Sequence, residues 1–351
     1  MKTISFFLGS NSAEGFHSLY PDFAAGEGDF LHVIKAGPGT GKSTFMRRIG
    51  QAAGAAGQPV EYILCSGDPD SLDGVYLPAL KTAWVDGTAP HTLDPEVFGV
   101  TGDYVNLGAF CDSKILRRHS AEIQDMQHAY RGHYRTAYGY LAAAGQLHRM
   151  SSAPEISPET EQAIARSVRT VSKELFPTAA DAAGSRVVRR FLRAISCRGN
   201  LTLSETLRSL CCKCCWLENE SGLANHFLTQ LIQSAAAAHV AAIVCPDPLC
   251  PELTEAVLFP ELQTGFIVRG EDWSPAADEP ILPLDRFAPN RPASDRSAAQ
   301  KTEQLLIRAA TQELAQAKAK HDKLEQFYRP ALDTTALNRF TDETLQSIGL
   351  A

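Results

Sequence analysis

Residues 36–44 read Ala36-Gly37-Pro38-Gly39-Thr40-Gly41-Lys42-Ser43-Thr44, and this order of types suits one task, holding a row of phosphate groups. Glycines at 37, 39 and 41 free the backbone to curl until successive N–H groups point inward at an anion, and Pro38 stiffens the curl. Lys42 is spaced to reach β- and γ-phosphates, and the Ser43 hydroxyl to ligate Mg²⁺. Ala36 stands where the strict pattern has its first glycine, a position that a small residue can fill. The competing reading is an ordinary Gly-rich turn, and the flanks decide between the two.

Before the run lies the apolar stretch Phe30-Leu31-His32-Val33-Ile34, which reads as a short buried strand. After it, Phe45, Met46, Ile49, Ala52, Ala53 and Ala56 recur as one face of a helix. Strand, glycine turn and helix together make a phosphate-binding loop, because the helix N-terminus adds its dipole and free N–H groups to the anion site. No Asn-Lys-x-Asp guanine-reading run occurs, so ATP is the expected nucleotide.

A second acidic element is expected near such a loop, at the end of a neighbouring strand, to hold the metal. Asp86, closing the apolar Ala83-Trp84-Val85, fits that role. Gly87 follows it, so the adjacent glutamate that would orient water is absent. Asp68, Asp70 and Asp73, in a loop after the Val60 to Leu64 strand, are the alternatives, with Asp73 the first choice as catalytic acid or base. His91 is a weaker candidate for handling a proton or a phosphate. Singly, each of these also suits a plain Asp/Gly/Pro turn.

At 351 residues the chain exceeds one ordinary core, and two domains are expected. A hydrophobic fraction of 44% with 21% charged residues describes a globular protein, and a net charge of −7 argues against a large nucleic-acid surface. The basic run Arg186, Arg189, Arg190, Arg193 and Arg198 brackets Val187-Val188 and Phe191-Leu192, and reads as a strand with solvated flanks. No apolar run is long enough to span a membrane. The stretch Thr3 to Leu8 is too short for a signal-peptide core and reads as a first strand. Nine cysteines, an odd number, suit a reducing cytoplasm.

The chain also repeats itself at a spacing of about 180 residues. Phe7-Leu8 with Ser12 and Gly15 is echoed by Phe191-Leu192 with Ser196 and Gly199. Val60 to Cys65 is echoed by Ala241 to Cys245, and Leu77-Pro78 to Val85 by Phe259-Pro260 to Ile267. The expected division is an active domain at 1–185, with a helical segment at about 113–180, and a duplicate at 186–351, with helices at about 297–350. In the duplicate, Glu220 to Asn225 replaces the phosphate loop, with Leu223 in place of the lysine and Val268 in place of Asp86. Cys211-Cys212-Lys213-Cys214-Cys215 falls where the strand before the lost loop belongs, and reads as buried strand rather than metal or redox site. The Ala/Gln/Glu/Lys-rich stretches at 113–150 and 297–328 read as antiparallel helices, packed within the chain or against a partner.

The residues Lys35 to Thr44, Cys65 with Asp68 and Ser71-Leu72-Asp73-Gly74, and Val85-Asp86-Gly87-Thr88-Ala89-Pro90-His91 resemble a bacterial family of tandem P-loop ATPases with little assigned biology. The resemblance is close over the first hundred or so residues and loose beyond. It implies ATP binding and an α/β architecture with a doubly wound, mostly parallel sheet in each half. Both halves of that family keep a phosphate loop, whereas this chain has lost its second. The expectation is a Mg-ATPase with one working site, in which the inactive copy replaces a dimer partner and supplies an arginine. The alternatives are a small-molecule kinase with Asp73 as base, and a nucleotide-sensing scaffold.

Overall fold

The computed structural model describes residues 3–89, 92–176, 186–270, 273–288 and 294–350. The first half runs β1 (Thr3–Phe7), β2 (Gly9–Ser12), β3 (Gly15–Ser18), β4 (Phe30–Lys35), α1 (Lys42–Ala55), β5 (Val60–Leu64), β6 (Leu72–Leu77), β7 (Thr82–Asp86) and β8 (Gly102–Asn106). Helices α2 (Ser113–Arg117), α3 (Ser120–Ser152) and α4 (Pro158–Leu175) follow. The second half runs β9 (Val187–Arg189), β10 (Arg193–Ser196), β11 (Gly199–Thr202), α5 (Ser204–Leu210), β12 (Lys213–Leu217), α6 (Ala224–Ala237), β13 (Ala242–Pro246), β14 (Thr254–Phe259), β15 (Thr264–Val268) and β16 (Ile281–Leu282). It ends in α7 (Ser294–Tyr328) and α8 (Thr334–Ser347). No helix among the described residues is long and apolar enough to cross a membrane.

The chain is α/β, with two six-stranded sheets of identical plan. The first has the order β1-β5-β6-β7-β4-β8, and the second β9-β13-β14-β15-β12-β16. All strands of each sheet run parallel except one, β6 and its counterpart β14. The first strand of each sheet, β1 or β9, is followed along the chain by the same small hairpin. Gly15 and Gly199 turn the β2–β3 and β10–β11 hairpins at φ 96 and φ 92, and each turn is tied by a serine, Ser12 Oγ donating to the Gly15 carbonyl and Ser196 Oγ to that of Gly199. The two halves join backbone to backbone, where Phe7 and Phe191 exchange N–H···O bonds of 3.0 and 2.9 Å.

One apolar core lies between the sheets, where Phe6, Phe7 and Val33 of the first half meet Phe191, Trp216 and Leu258 of the second. Burying each aromatic ring of that core stabilises the fold by roughly 1.5–3 kcal/mol. The outer face of each sheet is covered by its own helix, α1 or α6, and against that helix packs one from the opposite half of the sequence. Helix α4, expected within 1–185, packs on α6, with Thr160 Oγ1 donating to the Phe287 carbonyl at 2.9 Å. Helix α8 packs on α1, where Arg48 meets Asp342 at 2.6 Å and Phe340 stacks on Phe45. The cause is the pairing of α3 with α7. They run antiparallel, held by His133–Glu313 at 2.7 Å and His148–Glu303 at 3.0 Å, and each carries the chain across to the other sheet.

The basic run departs from its expected solvated flanks. Arg190 is only 4% exposed, and its Nε donates to Glu61 at 2.6 Å, while Arg193 reaches Glu255 at 3.0 Å. A guanidinium at the seam of two sheets stays there only with a paired carboxylate. Lys213 to Leu217 form β12 as the repeat requires, with Cys211 and Cys214 buried and every cysteine a free thiol.

Candidate functional site

The loop 36–41 leaves the carboxyl end of β4 and enters α1 at Gly41. Gly39 and Gly41 have φ of +66° and +85°, left-handed values that other residues adopt only with strain. Thr40 is buried and its Oγ1 donates to the Gly37 carbonyl at 2.7 Å, which fixes the curl. Lys42 folds back over the loop. Its Nζ donates to the carbonyls of Gly37 at 2.9 Å and Ala36 at 3.3 Å, and lies 3.4 Å from Asp86 Oδ2.

Asp86 is brought there by the parallel register of β4 with β7, which sets Ile34 beside it. Its other oxygen accepts from the Thr88 N–H at 2.9 Å and the Thr88 hydroxyl at 2.6 Å. Ser43 Oγ accepts from the Leu72 N–H at 3.0 Å, which leaves one lone pair and the hydroxyl proton uncommitted by that bond. The next residue on β6, Asp73, is buried and accepts a 2.8 Å hydrogen bond from Tyr20. Burial, reinforced by the Asp73 charge, pushes the Tyr20 phenol well above its ordinary range, so it remains a donor.

The other candidates scatter. Asp68 lies 3.4 Å from Lys318 of α7, at the cavity wall. Asp70 is bound to Arg198 outside the cavity. Pro90 and His91 lie outside the described residues.

The loop floors a cavity of about 980 Å³ whose walls are helical stripes from both halves. On α3, Tyr130, Arg131, Tyr134, Arg135 and Tyr138 recur at helical spacing and face it. The three tyrosine rings succeed one another at 5.0 and 5.8 Å, and burial pushes Tyr130 up to about 12 and Tyr134 well up, so the phenols stay neutral. Neither Arg131 nor Arg135 has an acidic partner among the described residues. On α7, His321, Glu325 and Tyr328 complete the wall. Burial lowers the His321 pKa despite the nearby Glu325.

Two of the loop glycines serve this wall as well as the curl. A Cβ at Gly37 would stand 2.6 Å from the Tyr328 ring, and one at Gly39 3.0 Å from Glu325 Cβ. The sequence carried a signal for the α3 wall, an aromatic and basic stripe at i, i+3, i+4 spacing. Nothing in it pointed that stripe at residues 36–44.

In the second half the loop 218–223 has other chemistry and, counted from the register partners Ile34 and Leu217, reaches its helix one residue sooner. Phe45 N–H bonds to the Gly41 carbonyl and Phe227 N–H to that of Leu223, so Ala224, not Leu223, stands at the place of Lys42. Asn225 takes the place of Ser43, and its Oδ1 accepts from Thr254 N–H at 2.9 Å. The β12–β15 register sets Val268 beside Leu217, where the first half has Asp86 beside Ile34. Set against protein-family models, curated proteins and solved structures, the chain matches none.

Proposed function

We propose that the chain binds Mg–ATP at residues 36–44 and hydrolyses it, with one nucleotide site for the two halves. The observation that carries this reading is the Lys42–Asp86 pair, 3.4 Å apart at the mouth of a loop whose Gly39 and Gly41 are left-handed. Phosphoryl transfer needs positioning and charge stabilisation more than covalent chemistry from the protein, and this arrangement supplies both. The loop N–H groups and the α1 N-terminus bind the phosphate chain. Lys42 moves from its carbonyl contacts to the terminal phosphates, where its charge is better matched.

The donors suit a hard cation, because Ser43 keeps a lone pair and Asp86 offers a carboxylate, both oxygen ligands. When bound there, Mg²⁺ would neutralise phosphate charge. Asp73, held by Tyr20, is the residue best placed to orient water or take its proton. Arg131 and Arg135 of α3 and Arg329 of the second half bring positive charge to the same cavity.

A cavity near the upper end of small-molecule pockets supports a second reading, transfer of the γ-phosphate to an acceptor seated against the tyrosines. Phosphate release from Mg–ATP by the purified chain alone supports hydrolysis. ATP consumption that appears only when a small hydroxylated acceptor is added supports the kinase. Tight binding with no consumption under either condition overturns both as enzymes and leaves a nucleotide sensor.

A further inference from the structure

The loop before α6 already holds an anion. Asp285, in the short turn Leu284–Phe287, accepts hydrogen bonds from the N–H groups of Glu220 at 3.1 Å and Ser221 at 2.7 Å, and from the Ser221 hydroxyl. Two carboxylate oxygens on successive loop N–H groups ahead of a helix reproduce the way a loop of this kind grips phosphate. The end of α3 closes over the same place, since a Cβ on Gly222 would lie 2.3 Å from the Ser152 carbonyl oxygen.

The first half has the same turn, Leu107–Phe110. Cys111 N–H bonds to the Gly108 carbonyl at 3.1 Å, as Ala288 N–H bonds to that of Asp285 at 3.1 Å, so Gly108 is the counterpart of Asp285. A Cβ at Gly108 would stand 3.1 Å from Asn106 Oδ1, at the end of a side chain, and 3.8 Å from Ala36 Cα and from the Lys35 carbonyl oxygen, facing the start of the loop 36–41. With glycine there, position 108 sends no carboxylate toward the first loop.

We propose that the loop at 218–223 is an oxyanion site filled by the chain's own Asp285 carboxylate, and that glycine at position 108 is what keeps the first loop open for an external phosphate. The second clause rests on the reading of residues 36–44 as a phosphate loop, whereas the first does not.

The test removes the internal anion and offers inorganic phosphate in its place, in a Lys42→Ala background that silences the first loop. Adding Asp285→Gly should lower the thermal midpoint, and millimolar phosphate or sulfate should restore it, while chloride at equal ionic strength should not. Phosphate acting no better than chloride overturns the proposal. If the glycine variant does not fold, Asp285→Asn keeps the side-chain size without the charge. A lowered midpoint for that variant supports the filled site, and a midpoint equal to its parent's overturns it. In the opposite direction, Gly108→Asp in the otherwise unaltered chain should cut ATP affinity at least tenfold with the fold retained, and undiminished affinity overturns the role of Gly108. If the unaltered chain binds no ATP, the reading of the first loop falls, and the phosphate measurement still decides the second.

Discussion

Lys42 Nζ and Asp86 Oδ2 face each other at 3.4 Å, with both side chains nearly nine-tenths buried at the mouth of the loop 36–41. Ala224 and Val268 stand at the equivalent places in the second half, so one copy carries both charges and the other neither. Leaving one member of a pair this far from water without its partner is costly, and a phosphate chain with its cation is the kind of ligand that would match both charges.

Replacing Lys42 with alanine should therefore weaken ATP binding without unfolding the chain. A charge-assisted hydrogen bond contributes roughly 1.5–3 kcal/mol, which is on the order of 10- to 150-fold in affinity. Titration calorimetry reads this directly, and unchanged affinity would remove the phosphate-loop assignment.

For Asp86→Asn the loss should fall on turnover. The loop N–H groups still grip the phosphates, while the carboxylate that serves the cation is gone. Steady-state hydrolysis as a function of Mg²⁺ concentration should show a raised metal requirement and a rate at least tenfold lower, with ATP affinity changed much less. Hydrolysis at the unaltered rate would reduce Asp86 to a strand-end residue.

Arg131 and Arg135 line the cavity one turn apart without acidic partners among the described residues. Arg131→Gln with Arg135→Gln should weaken ATP more than ADP, because the extra charge of the third phosphate is what two cations would read. Competition binding with both nucleotides checks this, and equal losses for the two would place the arginines away from the terminal phosphate.

His148 gives the fold a pH dependence of defined sign. Burial by itself lowers its pKa, but the charge of Asp247 and the hydrogen bond to Glu303 outweigh burial, against Arg193, and carry it up to about 9. The unfolded value is about 6.5, so folding favours the protonated ring. That contribution, on the order of 3 kcal/mol, is fully present below about pH 6.5 and is lost as pH rises through the folded value. Thermal midpoints should fall between about pH 7 and 9.5, and His148→Gln should flatten that part of the profile.

The strand, glycine turn and helix around residues 36–44 were legible in the sequence because they lie within one stretch of chain. The duplication was legible for a similar reason, since each echo keeps both its residue types and its spacing. What could not be read was which surface a helix covers. The patterning of 113–150 and 297–328 gives an apolar face but no partner, so the crossing of α4 and α8 to the opposite sheets, and the tyrosine wall over residues 36–44, came only with the structure. Arg190 was misplaced at the solvated surface because Glu61, which makes its burial tolerable, lies far away in the chain. Matching glycines by type put Leu223 opposite the lysine, whereas the helical hydrogen bonds put Ala224 there. Asp285, from a turn that no motif marks, had no sequence signal.

The asymmetry of the two halves is tested most directly by counting nucleotides. Equilibrium dialysis of the chain against a non-hydrolysable ATP analogue with Mg²⁺ should give one saturable site per chain, lost in Lys42→Ala. Two sites of similar affinity, or one site that survives Lys42→Ala, would contradict the assignment of nucleotide binding to the first loop alone.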